Sequence, residues 1–186
     1  MCAGIIAIQG DFEKHESACR SVGSETKYVR VPEDLVDCTH LIIPGGESTT
    51  VGLLMQRFGL DTAIREAVES GVPVWGTCMG LIMLAREIEN RPNQFSLNLL
   101  DVRVKRNAFG RQVHSFESEI KVAGLDEPIN AVFIRAPIVT QLGAAVEVLA
   151  SIDDQIVAVR QGSRVGTSFH PELTDDTRFH EWFLQL

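Results

Sequence analysis

The chain has 186 residues, of which 45% are hydrophobic and 23% charged, and these proportions are ordinary for a soluble globular protein. A chain of this length can bury one sizeable core, so we expect residues 1–186 to form a single domain. The formal net charge of −8 and the lack of a basic stripe argue against a nucleic-acid partner. No apolar run approaches the roughly 18 residues of a membrane span, so we expect no membrane association.

Cysteine usage indicates a reducing compartment. The spacing of the four cysteines fits neither a zinc site nor a CxxC redox pair, and they are Cys2, Cys19, Cys38 and Cys78. A chain with its own core does not need disulfides, so we expect a cytoplasmic protein without a bound metal ion. The apolar stretch 5–8 has no basic segment before it and ends at Gly10, which predicts a first strand rather than a signal peptide.

The first half of the chain alternates predicted strands with predicted helices. Strands are predicted at 4–9, 26–31, 40–44 and 72–77. Helices are predicted at 12–22, 51–58, 60–70 and from the turn after residue 77 to Glu89, with Ser48 and Thr49 as N-cap candidates for the second. This alternation is typical of an α/β protein with three αβα layers and a mostly parallel central sheet. Ligands bind such sheets beyond the carboxyl ends of the strands.

After about residue 90 the pattern changes to short β-like segments. They lie near 100–106, 113–121, 130–135, 146–152, 155–161 and 164–169. No Gly/Ser/Pro-rich linker separates the two halves, so we expect these segments to be antiparallel additions to the same sheet. Residues 174–186 predict a closing helix that turns Phe179, Trp182 and Phe183 toward the core.

The most informative motif is a cysteine between two glycines where strand 72–77 meets the next helix. Gly76-Thr77-Cys78-Met79-Gly80 has the Gly-x-nucleophile-x-Gly pattern of a nucleophile elbow, with cysteine in place of serine. The glycines permit a sharp bend, and the helix that starts there directs backbone N–H groups toward the sulfur. For the motif taken alone, packing of a small residue between strand and helix is the alternative interpretation.

His170 is the histidine best placed to serve as a base for Cys78. It follows the predicted strand 164–169 and precedes Pro171, which holds it extended, so Glu172 projects to the same side two residues later. A carboxylate on one ring nitrogen leaves the other free to take the thiol proton, although a structural histidine at a strand end is the alternative. Of the remaining histidines, we expect a surface position for His15 and structural roles for His40 and His180, and His114 is unassigned.

Two further segments predict contacts to a small substrate. In Pro-Gly-Gly-Glu-Ser-Thr at 44–49, two glycines after a strand expose backbone N–H groups that can bind an oxyanion. A Gly-Gly turn with Ser48 as a helix cap is the alternative, and the two are compatible. Arg106 and Arg135 are candidates for binding a carboxylate through paired hydrogen bonds, the alternative being solvated surface arginines.

Together, the Gly-Gly-Glu-Ser loop, the Gly-Thr-Cys-x-Gly elbow and the His-Pro-Glu triplet resemble the class I (triad) glutamine amidotransferases, which have a flavodoxin-like fold. Within that class, the chain is similar to the glutaminase subunits of pyridoxal 5′-phosphate synthase over residues 4–184. The segments that carry this similarity are 9–10, 44–50, 106–112, 115–117, 133–137 and 170–173. The sequence Arg-Asn-Ala-Phe-Gly-Arg-Gln at 106–112 is the most specific of them.

The resemblance implies hydrolysis of L-glutamine to L-glutamate and ammonia through a glutamyl thioester. It assigns Cys78 as nucleophile, His170 as base and Glu172 as the residue that orients the base. It implies oxyanion binding by the backbone amides of Gly46 and Met79, the latter replacing an alanine usual in the family. It implies that glutamine is bound by Gly46, Glu47, Ser48, Arg106, Ile134 and Arg135.

The resemblance also implies a partner. Ammonia would pass to a separate synthase subunit in a hetero-oligomeric complex, which builds pyridoxal 5′-phosphate, vitamin B6, from a pentose phosphate and a triose phosphate. This chain itself would hold no cofactor. Three other hypotheses stay open: a glutaminase serving another pathway, a related cysteine hydrolase of the same fold such as the stress-related proteases and deglycases, and a non-catalytic subunit with a vestigial site. The intact set of Cys78, His170 and Glu172 argues against the last of these.

Overall fold

The structure is a computed structural model that describes residues 1–108 and 115–186. Within these residues the chain forms twelve strands: β1 Cys2–Ile6, β2 Glu25–Val29, β3 His40–Ile43, β4 Val74–Thr77, β5 Ala85–Ile88, β6 Leu100–Lys105, β7 Ser115–Ile120, β8 Ile129–Ile134, β9 Ile138–Leu142, β10 Glu147–Ile152, β11 Gln155–Gln161 and β12 Arg164–Thr167. The helices are α1 Phe12–Ser21, α2 Ser48–Phe58, α3 Leu60–Glu69, α4 Met79–Leu84 and α5 Arg178–Phe183, and 3₁₀ turns span Pro32–Leu35 and Pro171–Leu173.

A mixed sheet runs through the molecule in the order β2-β1-β3-β4-β12-β11-β9-β6-β5, with β10 paired to β11. The neighbours from β2 to β12 are all parallel, and β11 and β9 add antiparallel pairings. The predicted mostly parallel sheet with antiparallel additions is therefore confirmed. This order brings β3, β4 and β12 side by side, although β12 is far from the other two along the chain.

Two apolar layers cover the sheet, one on each face. Side chains alternate along each strand, so that Ile42 and Trp75 face one layer while Leu41 and Val74 face the other. Helices α2, α3 and α4 pack on the Leu41 side, and α1, α5 and the β7–β8 hairpin pack on the Ile42 side. This is the predicted three-layer αβα arrangement. No helix among the described residues combines the length and apolar character that crossing a membrane requires.

The helix predicted from the elbow to Glu89 is wrong beyond Leu84. Residues 79–84 are buried on every side, so their apolar run carries no periodicity that marks where the helix ends. Ala85 is already extended, and Ala85–Ile88 forms a strand parallel to β6, where Glu87 pairs with Arg103.

The second half of the chain also differs from the prediction in its pairing. Strands β7 and β8 form a separate two-stranded sheet, β12 joins the main sheet parallel to β4, and strand β9 was not predicted. The closing helix starts at Arg178, because Pro171–Leu173 forms a 3₁₀ turn and the Asp176 carboxylate accepts the Arg178 backbone N–H at 3.1 Å. Phe179 and Phe183 are fully buried as predicted, and Trp182 is half-buried.

Candidate active site

The residues of the candidate site follow three neighbouring strands and lie at one edge of the sheet. Strand β3 runs into the Gly45-Gly46 loop, β4 into Cys78, and β12 into His170. Their carboxyl ends border a cavity of about 350 Å³. Its lining includes every residue predicted to touch substrate or oxyanion: Gly46, Glu47, Ser48, Cys78, Met79, Arg106, Ile134, Arg135 and His170.

The elbow around Cys78 is a tight strand-to-helix turn. Cys78 has φ 50° and ψ −100°, a conformation that L-residues adopt only when the surrounding structure enforces it. A Cβ at Gly80 would lie 2.1 Å from the carbonyl oxygen of Ile43, so only glycine lets α4 approach β3 this closely. The backbone N–H of Cys78 donates to the Thr167 carbonyl at 2.7 Å, and its thiol faces the Ile134 carbonyl at 3.7 Å.

His170 and Glu172 form a buried pair beside the elbow. Nδ1 of His170 lies 2.7 Å from Oε1 of Glu172, and both residues are less than a tenth exposed. His170 has φ −112° and ψ 86°, outside the extended region that was predicted for it, and Glu172 sits in the 3₁₀ turn that Pro171 begins. The His170 backbone N–H donates to the Val132 carbonyl at 2.8 Å, which ties the pair to β8. The predicted carboxylate–imidazole contact is therefore present.

The ionisation of this pair follows from its neighbours. Burial acts to lower the pKa of His170, but the hydrogen bonds and charges of Cys78 and Glu172 outweigh it, so the pKa is raised and the imidazolium is favoured. Burial acts to raise the pKa of Glu172, but the charges and hydrogen bonds of His15 and His170 outweigh it and hold that pKa below its usual range. A carboxylate, an imidazole and a thiol thus form one electrostatically linked chain.

His15 is not a surface residue, which corrects the sequence prediction. It is fully buried on the inner face of α1, where its Nε2 lies 3.4 Å from Oε2 of Glu172 and its Nδ1 lies 3.0 Å from Nε2 of His180. The spacing of His15, Ala18 and Cys19, all buried, is the i, i+3, i+4 pattern of an inward helix face. That spacing was the signal for its burial, and the charged neighbours of His15 obscured it. His180 and His40, for which structural roles were predicted, are also buried.

Glu47, rather than Ser48 or Thr49, caps helix α2. Its carboxylate accepts the backbone N–H groups of Thr49 at 3.1 Å and Thr50 at 2.8 Å, and Ser48 is the first helical residue. The Thr50 N–H is the largest contribution that lowers the pKa of Glu47, and with the Thr49 N–H and the Thr50 hydroxyl it brings that pKa to about 2 against the opposing effect of partial burial. Glu47 is therefore ionised at neutral pH.

Gln94 connects two of the predicted substrate residues, and the sequence analysis missed it. Its amide nitrogen donates to the Ser48 hydroxyl at 2.7 Å, and its amide oxygen accepts from Arg106 at 2.8 Å. Arg106 also lies 3.5 Å from the Glu47 carboxylate. The loop that carries Gln94 has no motif, so only the tertiary approach of this loop to α2 reveals the contact.

Arg135 also lines the cavity. It is exposed, has φ 46°, and follows Ile134, whose carbonyl faces the Cys78 thiol. A Cβ at Gly46 would lie 3.4 Å from the Met79 Cε, so the Met79 side chain packs against the loop that carries Gly46. Met79 is buried and belongs to the core on the α2 side of the sheet, which explains how the elbow accommodates its size.

The described residues offer no second candidate centre. No group of three or more His, Cys, Asp or Glu side chains in them has the geometry of a metal site, and the four cysteines are free thiols. A larger cavity of about 470 Å³ lies between α2 and the loop at 90–95, but no thiol or histidine lines it. Residues 109–112 of the family-specific segment, and the unassigned His114, lie outside the described residues.

Comparison with known proteins identifies the family of the chain. The model of the SNO glutamine amidotransferase family matches residues 5–186. The chain is 54% identical to the pyridoxal 5′-phosphate synthase subunit PdxT of Herpetosiphon aurantiacus, with 100% of both chains covered. It is 52% identical to the subunit of the same name from Thermus thermophilus, over 98% of this chain and 96% of that protein.

A solved structure supports the same assignment. The crystal structure of a glutamine amidotransferase that shares 49% identity superposes with a TM-score of 0.95, covering 98% of this chain and 97% of that one. The chain belongs to the SNO glutamine amidotransferase family.

Proposed function

We propose that this chain hydrolyses L-glutamine to L-glutamate and ammonia at Cys78, and delivers the ammonia to a synthase subunit that makes pyridoxal 5′-phosphate. The observation that carries the proposal is the linked chain of Cys78, His170 and Glu172 at the carboxyl ends of β4 and β12. Membership of the glutamine amidotransferase family and the names of the PdxT relatives supply the substrate and the pathway.

Acyl transfer begins with the sulfur of Cys78 attacking the side-chain carboxamide carbon of glutamine. His170 accepts the thiol proton, and its raised pKa favours the imidazolium that results. The carbonyl oxygen becomes an oxyanion, for which the backbone N–H groups of Gly46 and Met79 are the proposed donors. The C–N bond then breaks, and the imidazolium gives its proton to the departing ammonia.

Hydrolysis of the thioester completes the cycle. Water attacks the glutamyl carbonyl carbon while His170 takes one of its protons. The C–S bond breaks, glutamate leaves, and the proton returns to the sulfur. Glu172 stays ionised throughout because its pKa is held low, so its role is to orient and charge-balance His170.

Substrate recognition is assigned to residues that line the cavity. Arg106 and Arg135, which both line it together with Cys78, supply the positive charge that the α-carboxylate of glutamine requires. Gly46, Glu47, Ser48 and Ile134 complete the proposed binding set. In the structure without substrate, Arg106 is engaged by Gln94 and Glu47, so glutamine must join or replace those contacts.

The assembly and setting of the protein are part of the same proposal. Residues 1–186 form one glutamine amidotransferase domain, since strands from both halves of the described chain share one sheet. The partner is the synthase subunit, and the chain functions in the cytoplasm, where its four free thiols stay reduced. The chain needs no cofactor of its own for the chemistry above.

Glutamate release by the full chain, measured with and without the synthase subunit, tests the proposal. We expect release in the complex, abolished by Cys78→Ala and retained by the control Cys2→Ala, whose thiol lies outside the cavity. Absence of glutamate from the wild-type complex would contradict it. A glutamine-directed affinity label separates the related cysteine hydrolases, because failure to label Cys78 would favour them.

A further inference from the structure

Glu172 is held between two histidines, one on each carboxylate oxygen. Oε1 lies 2.7 Å from Nδ1 of His170, and Oε2 lies 3.4 Å from Nε2 of His15. The side chains of Glu172 and His15 are both sealed from solvent. His15 comes from α1, near the start of the chain, and is not among the residues that line the cavity.

The contact with His15 is the main polar contact of Glu172 Oε2 among the described residues. Among the described residues, no hydrogen bond of normal geometry satisfies it, so the nearby His15 ring is what balances its charge. His15 is itself fixed on three sides: by Nε2 of His180 at 3.0 Å, by the Thr77 hydroxyl at 3.3 Å, and by an edge-on contact with the Trp75 ring. The ring therefore has no freedom to turn away from the carboxylate.

The proton arrangement follows from the two nitrogens of His15. A nitrogen–nitrogen distance of 3.0 Å requires one hydrogen between His15 and His180. Burial lowers the pKa of His180 to about 3, so His180 is neutral and has a single N–H. When that N–H of His180 donates to Nδ1 of His15, Nε2 of His15 carries the ring N–H and directs it toward the Glu172 carboxylate and the Thr77 hydroxyl, which lie 3.4 Å and 3.3 Å away.

We propose that His15 is a positioning residue of the glutaminase reaction, which keeps Glu172 ionised and holds its Oε1 against His170. The inference rests on the proposed function and extends the triad to a fourth, fully buried member. Through Glu172, His15 acts on the basicity of His170 without touching substrate.

Few other charges act on this cluster. The titratable and charged groups that face Glu172 and His15 in the described residues are His170 and Cys78 on the cavity side, His180 on α5, and Lys14 and Asp175 around a small cavity that reaches Glu172 from outside. Lys14 and Asp175 lie at an exposed mouth, where solvent screens them.

Two substitutions separate positioning from packing. His15→Leu fills the site but removes the N–H, whereas His15→Gln places an amide nitrogen close to the position of Nε2. His40→Leu is the matched control, because His40 is also a buried histidine but contacts Thr39 and Phe183, away from the triad. Thermal unfolding of all three variants shows that each is folded before it is compared.

Two measurements on the full chain test the inference. We expect His15→Leu to lower kcat in the complex at least ~10-fold, with KM within about 2-fold of the wild type, as for loss of acid–base efficiency. By NMR, the titration midpoint of His170 should fall by about one pH unit or more, because a less anionic Glu172 stabilises the imidazolium less. His15→Gln should restore most of both, and His40→Leu should change neither.

An unshifted His170 midpoint in His15→Leu would overturn the inference, whether or not activity falls, since a purely structural role predicts no shift. Failure of His15→Gln to restore the midpoint would also overturn it. The titration needs no turnover, so it gives a result even if the wild-type complex proves not to be a glutaminase. Failure of the proposed function and failure of this inference are therefore distinguishable.

Discussion

The imidazole of His170 lies directly against the backbone of Gly45. A Cβ at position 45 would come within 2.5 Å of Cε1 of His170, and within 3.3 Å of Nδ1, the atom that contacts Glu172. The loop that is proposed to bind the oxyanion is therefore also a surface that positions the proposed base. A change at Gly45 reaches the chemistry without removing any reacting group.

Gly45→Ala should displace the His170 ring and reduce kcat about 10²-fold, the usual consequence of misplacing a catalytic group by roughly 1 Å. The fold should persist, because the ring can shift toward the open cavity. Steady-state glutaminase kinetics and thermal unfolding of the same preparation check both statements. Unchanged kcat in a folded variant would show that the ring tolerates the added methyl group.

Glu47→Gln should destabilise the protein by about 0.5–1 kcal/mol at neutral pH, because a charged N-cap of α2 is lost and this partly exposed group is screened by solvent. The pKa of Glu47 is about 2 in the folded chain and near its ordinary 4.5 when unfolded. Because the folded pKa is the lower one, the carboxylate contributes its full stabilisation above pH 4.5 and loses it as the pH falls toward 2.

The stability difference between the wild type and Glu47→Gln should follow that same pH window in urea titrations. Glu69→Gln, an exposed glutamate at the other end of a neighbouring helix, is the control and should stay within about 0.5 kcal/mol of the wild type. A difference that does not change between pH 6 and pH 3 would refute the capping role.

Gln94→Leu should raise the KM for glutamine about 10-fold and leave kcat nearly unchanged. The substitution removes the hydrogen bond that Gln94 accepts from the charged Arg106, which holds Arg106 at the cavity. It also removes the hydrogen bond from Gln94 to the Ser48 hydroxyl. Isothermal titration with glutamine on a Cys78→Ala background measures the binding directly. Gln56→Leu is the control. Gln56 lies on α2 and, like Gln94, lines the cavity between α2 and the loop at 90–95, but it makes no hydrogen bond to Arg106 among the described contacts. Equal affinities of the two variants for glutamine would show that Gln94 does not contribute to substrate binding.

Arg135→Gly should distinguish the effect of backbone strain at residue 135 on stability from the effect of its positive charge on glutamine binding. A positive φ of 46° is unfavourable for arginine by about 1 kcal/mol, so glycine should leave stability unchanged or slightly higher. The loss of the guanidinium should raise the KM for glutamine, and Arg135→Lys should restore part of the affinity. Wild-type KM in Arg135→Gly would show that the arginine does not contact substrate.

Much of this fold is readable from local sequence pattern. The alternation of apolar runs with amphipathic stretches predicts β1 to β4 and α1 to α3 closely, because each run is short and bounded by a turn residue. The same method fails at α4, where burial on all sides removes the periodicity that would mark the end of the helix. It also misses β9 and the separate pairing of β7 with β8, since neither depends on local pattern.

In the candidate site, too, some residues are predictable from local sequence pattern and others only from tertiary contacts. Cys78, His170 and Glu172 can be selected from motifs, because each follows a predicted strand, but the parallel pairing of β12 with β4 that brings them to one edge was not predicted. The burial of His15 was available from its spacing with Ala18 and Cys19 but was outweighed by the charges around it. Gln94 gave no signal, because its role arises only when a loop and a helix from different parts of the chain meet.

Strands β4 and β12 are neighbours in the sheet but far apart in the chain, so the site is completed only after β12 has been synthesised. Strand β12 pairs with β4 in register from Val74 to Thr77, and the Thr167 carbonyl receives the Cys78 N–H. A nascent chain therefore presents its thiol long before the ribosome has made the base. Until β12 inserts beside β4, the proposed base is not held next to the sulfur, so we expect a polypeptide truncated before β12 to release no ammonia from glutamine.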